Sequence, residues 1–124
     1  MSKEIQNYFE MVDVCRKASS YFVGSFMIEL LMRRAEWENP KTKMAFIQDF
    51  HNNYFAWDED WSIDVTRNKV NCVIRIIESG YTKKALEYVL RANDKKLLIP
   101  QAKINAEETL AMIASGEIKV ELRD

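Results

Sequence analysis

Apolar residues recur at three- and four-residue spacing along most of this 124-residue chain, and that period makes α-helix its simplest local solution. Ile5, Tyr8, Val12, Cys15, Phe22 and Phe26 line one helical face, and Met11, Val14, Ala18 and Tyr21 widen it. Ser19, Ser20 and Gly24 weaken the middle, so the spacing predicts either one long kinked helix or two shorter ones. Met27, Leu30 and Leu31 carry the pattern to Arg33 and Arg34, whose charges suit the negative C-terminal end of a helix dipole. Asn39 and Pro40 are then an N-cap and a first helical residue. Beyond them Phe46, Phe50, Tyr54, Trp57 and Trp61 form a stripe made wholly of aromatics, whose period predicts helix through at least Trp57.

Ser62 or Asp60 caps the next helix, predicted over residues 63–79. Val65, Val70, Val73, Ile74, Ile76 and Ile77 cover more than half its circumference, which reads as the central, most enclosed helix. Gly80 closes it as a left-handed cap, and Thr82 is expected to cap a short helix to about residue 93, with Ala85, Leu86, Val89 and Leu90 inward. Asn105 and Glu108 resemble a capping box for a last helix carrying Leu110, Met112, Ile113 and Ala114 and ended by Gly116. In the tail Ile118, Val120 and Leu122 alternate with Glu117, Lys119, Glu121 and Arg123, the pattern of a half-exposed strand. Its expected mate is the run from Leu97 to Ile99. With only three Gly and two Pro, long helices with short connections are favoured over a turn-dense β fold. The expected fold is therefore mainly α: a compact bundle of about five helices with a small two-stranded β element near the C-terminus. Residues 1–124 are expected to form a single helical domain, large enough to bury a core without a disulfide or metal staple.

Charge is sorted along the chain. Residues 36–65 carry seven acids (Glu36, Glu38, Asp49, Asp58, Glu59, Asp60, Asp64) against Lys41 and Lys43, a net −5. Residues 66–103 carry nine bases against Glu78, Glu87 and Asp94, a net +6, although the whole chain sums to −1. Opposed fields of this kind dock one half of a domain on the other or steer an outside partner.

Chemical equipment is sparse. There is one histidine, His51, and two cysteines, Cys15 and Cys72, that sit in apolar surroundings and read as buried free thiols. The three glycines are isolated, so no phosphate-cradling loop is present. Asp58, Asp60, Ser62 and Asp64 offer alternate oxygens like the first half of a calcium loop. Ile63 stands where that loop needs Gly, and Lys69 where it needs Glu. No metal, no cofactor and no enzymatic activity are expected. The N-terminus opens polar, and the most apolar run, Tyr21 to Met32, is twelve residues long and contains Glu29. That is too short to span a bilayer, so a cytoplasmic protein with no membrane association is expected.

The aromatic stripe has three readings: core packing, the default at this spacing; a protein-binding face; and base stacking, which the local acidic charge opposes. The basic half is a solvated polar face, a dock for an acidic surface, or a nucleic-acid site. Around Gly80 a helix–turn–helix is suited by Tyr81 and Leu86 but opposed by Arg75 and Ile76. Two functions follow. The first is a small non-catalytic interaction protein (inhibitor, adaptor or small subunit), of the type phages and mobile elements encode. It would bind a protein partner through Tyr54, Trp57, Asp58, Glu59, Asp60 and Trp61, with the tryptophans as anchors and the acids steering. The alternative is a nucleic-acid-binding helical regulator using Arg67, Arg75, Lys83, Lys84 and Arg91. Self-association through the complementary charges is a further expectation.

Overall fold

Ser19 splits the first apolar stripe into two helices, α1 (Tyr8–Ala18) and α2 (Ser20–Met32). Its φ of 78° lies in the left-handed region, which a helix cannot continue through. Its Oγ then accepts the Phe22 N–H at 3.1 Å, so the residue that ends α1 also caps α2. This geometry comes from a computed structural model of the protein, which describes residues 4–92 and 100–122. Its further helices are α3 (Arg34–Glu38), α4 (Pro40–Tyr54), α5 (Ile63–Glu78), α6 (Thr82–Arg91) and α7 (Pro100–Ser115). The protein is thus mainly helical. The described residues hold seven helices rather than about five, because the first stripe divides and the short α3 turns the chain between α2 and α4.

Several ends follow the sequence. Asn39 Oδ1 accepts the Lys41 N–H ahead of Pro40, and Ser62 Oγ accepts from Val65. At the end of α5, Gly80 (φ 81°) lets its own N–H reach Ile77 O and the Tyr81 N–H reach Ile76 O, the paired bonds of a Schellman cap. Others differ. Thr82 is the first residue of α6 rather than its cap, and Tyr81 before it makes no side-chain cap bond. Helix α7 begins at Pro100, not at Asn105, because proline suits the first helical position. Asn105 is therefore mid-helix and donates its amide to Ser25 O at 3.2 Å.

The β element is not found: no strand occurs among the described residues. Leu97 to Ile99, the expected mate, lies outside them. The tail keeps its alternation without a ladder. Gly116 (φ 83°) ends α7, Ile118 donates its N–H back to Met112 O, and Ile118 and Val120 pack half-buried against the helices. Arg34 grips Glu121 with two hydrogen bonds, of 2.9 and 2.5 Å, and so fastens the tail to α3. Side-chain packing, not backbone pairing, uses the period of two here.

The central place assigned to α5 is shared with α2, which is the more enclosed. Helix α2 has one charged residue, Glu29, and packs against α1, α5, α6 and α7. A glycine makes its closest approach feasible. A Cβ on Gly24 would stand 2.8 Å from Ala102 O and 2.9 Å from Val89 Cγ1. The face of α7 that meets α2 is correspondingly small: Ala102, Ala106 and Thr109 are fully buried, while Leu110 and Ile113 reach the core only partly. On the other flank, Phe22, Phe46, Phe50 and Phe55 form an aromatic centre with Phe26 at its edge, all within ring-contact distance. No helix among the described residues is long and apolar enough to cross a membrane.

Candidate functional site

Helix α4 stops at Tyr54, three residues short of the expected minimum, because the next ring turns inward. Phe55 donates its N–H to His51 O as the C-cap and buries its side chain against Phe22 and Phe50. The chain then makes a short loop and returns at Trp61, which stacks on Phe55 with centroids 4.3 Å apart and planes 8° from parallel. Inside the loop Asp58 N–H donates to Phe55 O, Trp61 N–H to Asp58 O, and Asp60 N–H to Asp58 Oδ1, at 3.0–3.1 Å. Ring stacking at the base and turn bonds within leave residues 57–60 projecting from a braced loop.

The two tryptophans named as anchors have different places. Trp61 is half-buried; its Nε1–H donates to Thr66 Oγ1 at 2.8 Å, and Lys69 Nζ lies 5.3 Å from its ring centre. Trp57 is 80% exposed. Its Nε1–H donates to Tyr54 O at 2.9 Å, so the ring is oriented while its faces meet solvent. Glu59 and Asp60 beside it are exposed and Asp58 half-exposed, with no cation in ion-pair range among the described residues. Tyr54 is partly exposed, and its hydroxyl donates to the Glu29 carboxylate, which pushes the phenol up to about 12.

Glu29 leads into a network that sequence reading missed. Arg33 reaches Glu29 at 3.2 Å, Glu36 at 2.7 Å and Asp49 at 2.9 Å, and its guanidinium lies 4.6 Å from the Phe46 centroid. These carboxylates hold the guanidinium well above its ordinary pKa, the Glu36 hydrogen bond most of all, and Arg33 in turn lowers Glu36. Arg34 repeats the arrangement. It lies over Trp37, pairs with Glu38 and Glu121, and is raised chiefly by the Glu121 hydrogen bond, as Glu121 is lowered by Arg34. The one available signal was Glu29 itself, a lone acid in an apolar helix four residues before Arg33.

These contacts also show how the acidic segment is met. Glu36, Glu38 and Asp49 are answered by Arg33 and Arg34, which precede that segment, and Asp64 by Arg67 in the next turn at 2.6 Å. The five basic candidates are spread over two helices. Arg67 is tied to Asp64, Arg75 is half-buried on α5, Lys83 is exposed, Lys84 lies over the Tyr81 ring at 5.4 Å, and Arg91 donates to the Tyr8 hydroxyl at 3.0 Å.

His51 Nδ1 is 2.7 Å from Thr66 Oγ1, but Thr66 is fully buried and also accepts the Trp61 indole, so the trio ties α4, the loop and α5 together. Both cysteines are free. Burial pushes Cys15 up to about 12, and burial also raises Cys72. The oxygens that resemble half a calcium loop are used locally: Asp58 by the Asp60 amide, Ser62 as a cap, Asp64 by Arg67. No group of three or more His, Cys, Asp or Glu placed to hold a metal occurs among the described residues.

The chain matches no protein-family model, no curated protein and no solved structure.

Proposed function

We propose that this protein is a non-catalytic binding module that engages another protein stoichiometrically through the loop between α4 and α5, with Trp57 as the anchor. The observation that carries this reading is an indole 80% exposed yet held by a hydrogen bond from its own ring nitrogen, on a loop braced by the Phe55–Trp61 stack. An exposed aromatic costs solvation, and a pre-ordered one loses little further entropy when a partner covers it; tryptophan is among the commonest energetic anchors of interfaces. Asp58, Glu59 and Asp60 give the rim a negative field, which steers encounter and sets orientation. Trp61, Phe55 and Thr66 act as supports, and Tyr54 carries the carbonyl that fixes Trp57.

The test is affinity capture from native lysate with full-length protein and with Trp57→Ala, each with and without nuclease. A stoichiometric protein partner that survives nuclease and is lost with Trp57→Ala, at unchanged thermal stability of the bait, is the expected result. Capture indifferent to Trp57 refutes the reading. Capture of nucleic acid instead, lost at raised salt, would transfer function to Arg67, Arg75, Lys83, Lys84 and Arg91.

A further inference from the structure

We infer that the partner surface presents an arginine, whose guanidinium stacks on the exposed face of Trp57 and is gripped at its edge by the carboxylates of Glu59 and Asp60. This inference rests on the docking role of the loop and goes further, to the chemistry of what docks.

The fold uses the same recognition twice within itself. Arg33 lies 4.6 Å from the Phe46 ring centre with Glu29, Glu36 and Asp49 around its edge. Arg34 lies 5.6 Å from the Trp37 ring centre with Glu38 and Glu121 around its edge. In each case an aromatic face receives the flat cation while carboxylates take its N–H groups. Trp57 with Glu59 and Asp60 brings the same two components together in one short loop, and the described residues supply no cation to them.

Two details select guanidinium. The only polar hydrogen of the Trp57 ring is already given to Tyr54 O, so the ring has π faces and apolar edges left for a ligand, and no donor for a carbonyl or a phosphate. The surrounding charge is negative and repels anions. A guanidinium can stack flat and direct several N–H groups outward in its own plane to two carboxylates at once; an ammonium can sit over a ring and donate, as Lys69 does over Trp61, but it is compact, strongly hydrated and has no planar fork to match paired carboxylates. The occupant is therefore an arginine-bearing segment of another protein.

The experiment titrates hexa-arginine and hexalysine peptides, equal in length and charge, into the full chain. It follows the indole N–H resonances of Trp37, Trp57 and Trp61 by NMR. Saturable movement of the Trp57 signal is expected, with hexa-arginine binding about threefold or more tighter than hexalysine. Trp57→Ala should abolish saturable binding, and the pair Glu59→Gln and Asp60→Asn should weaken it severalfold with a shallower salt dependence. Equal affinity for the two peptides, or binding that leaves Trp57 unmoved, overturns the inference. If lysate capture depends on Trp57 while hexa-arginine does not bind, the arginine assignment fails and the docking loop stands. If capture is indifferent to Trp57, the docking reading falls and the inference with it. Trp57-dependent dimerisation of the free protein in sedimentation would place the arginine on a second copy and overturn its assignment to a different protein.

Discussion

Gly24→Ala should destabilise this protein, although it replaces a helix-interior glycine with the best helix former. Propensity alone favours the substitution by about 1 kcal/mol. The packing opposes it on two sides. The new methyl would lie 2.8 Å from Ala102 O and 2.9 Å from Val89 Cγ1. Comfortable carbon–oxygen and carbon–carbon separations are about 3.3 Å and ~3.6 Å, so each contact is short by about half an ångström or more. Ala102 O is backbone of α7 and cannot swing aside. Val89 is fully buried, and its branched side chain has little rotamer freedom in a helix. Relief requires α7 to back away from α2, loosening Ala106, Thr109 and the Asn105–Ser25 bond. Overpacking of this kind costs about 1–3 kcal/mol. With both neighbours stiff the upper end applies, leaving a net loss of about 2 kcal/mol once propensity is credited. For a chain of 124 residues that lowers Tm by about 8 °C. Urea and thermal unfolding followed by circular dichroism would measure it. Adding Val89→Ala should show favourable coupling, because it removes one of the two overlaps. Gly116→Ala is the backbone control: nothing lies within 4 Å of its added methyl, so its loss would reflect only the φ of +83°. A Gly24→Ala protein as stable as the parent, or more so, would refute the view that close α2–α7 approach requires this glycine.

Trp61→Ala should cost about 2 kcal/mol through the lost Phe55 stack and the lost indole bond to Thr66, which keeps its contact with His51, while Trp57→Ala changes stability by less than about 0.5 kcal/mol; paired urea melts decide it. Tyr54 has a folded pKa of about 12 against an ordinary value near 10, because its neutral hydroxyl donates to Glu29. Its contribution to stability is then complete below about pH 10 and is lost as pH rises through about 12, so Tyr54→Phe should flatten the alkaline fall in unfolding free energy; equal slopes would remove the bond from the account. An aromatic disulfide reagent at neutral pH should label half-buried Cys72 slowly and Cys15, fully buried and raised to about 12, only on global unfolding, with labelled peptides identified by mass spectrometry; comparable rates at the two sites would contradict the packing of α1.

The features legible in the chain before folding are local ones. Helical period placed the apolar faces of α2, α4 and α5 and part of that of α1, where Tyr8 stays exposed and Val12 half-buried, and the chemistry of Asn39–Pro40, Ser62 (one of two expected caps, with Asp60) and Gly80 marked ends, because caps act within four residues of the backbone groups they satisfy. Local pattern misled where two outcomes share one signal. The alternation of Ile118, Val120 and Leu122 says which side chains face inward, not whether the backbone meets a second strand, and here Arg34 and the helices provide the seat. The aromatic stripe had the right period through Tyr54. It could not show that Phe55 would bury in place of Trp57, since one residue of phase decides which ring enters the core. Packing between helices determines that Trp61 braces the loop while Trp57 remains outside, that α2 is the most enclosed helix, and that Arg33 gathers three carboxylates from α2, α3 and α4. Those outcomes depend on distances between residues far apart in the chain, and such distances are set by how whole helices pack rather than by any single segment.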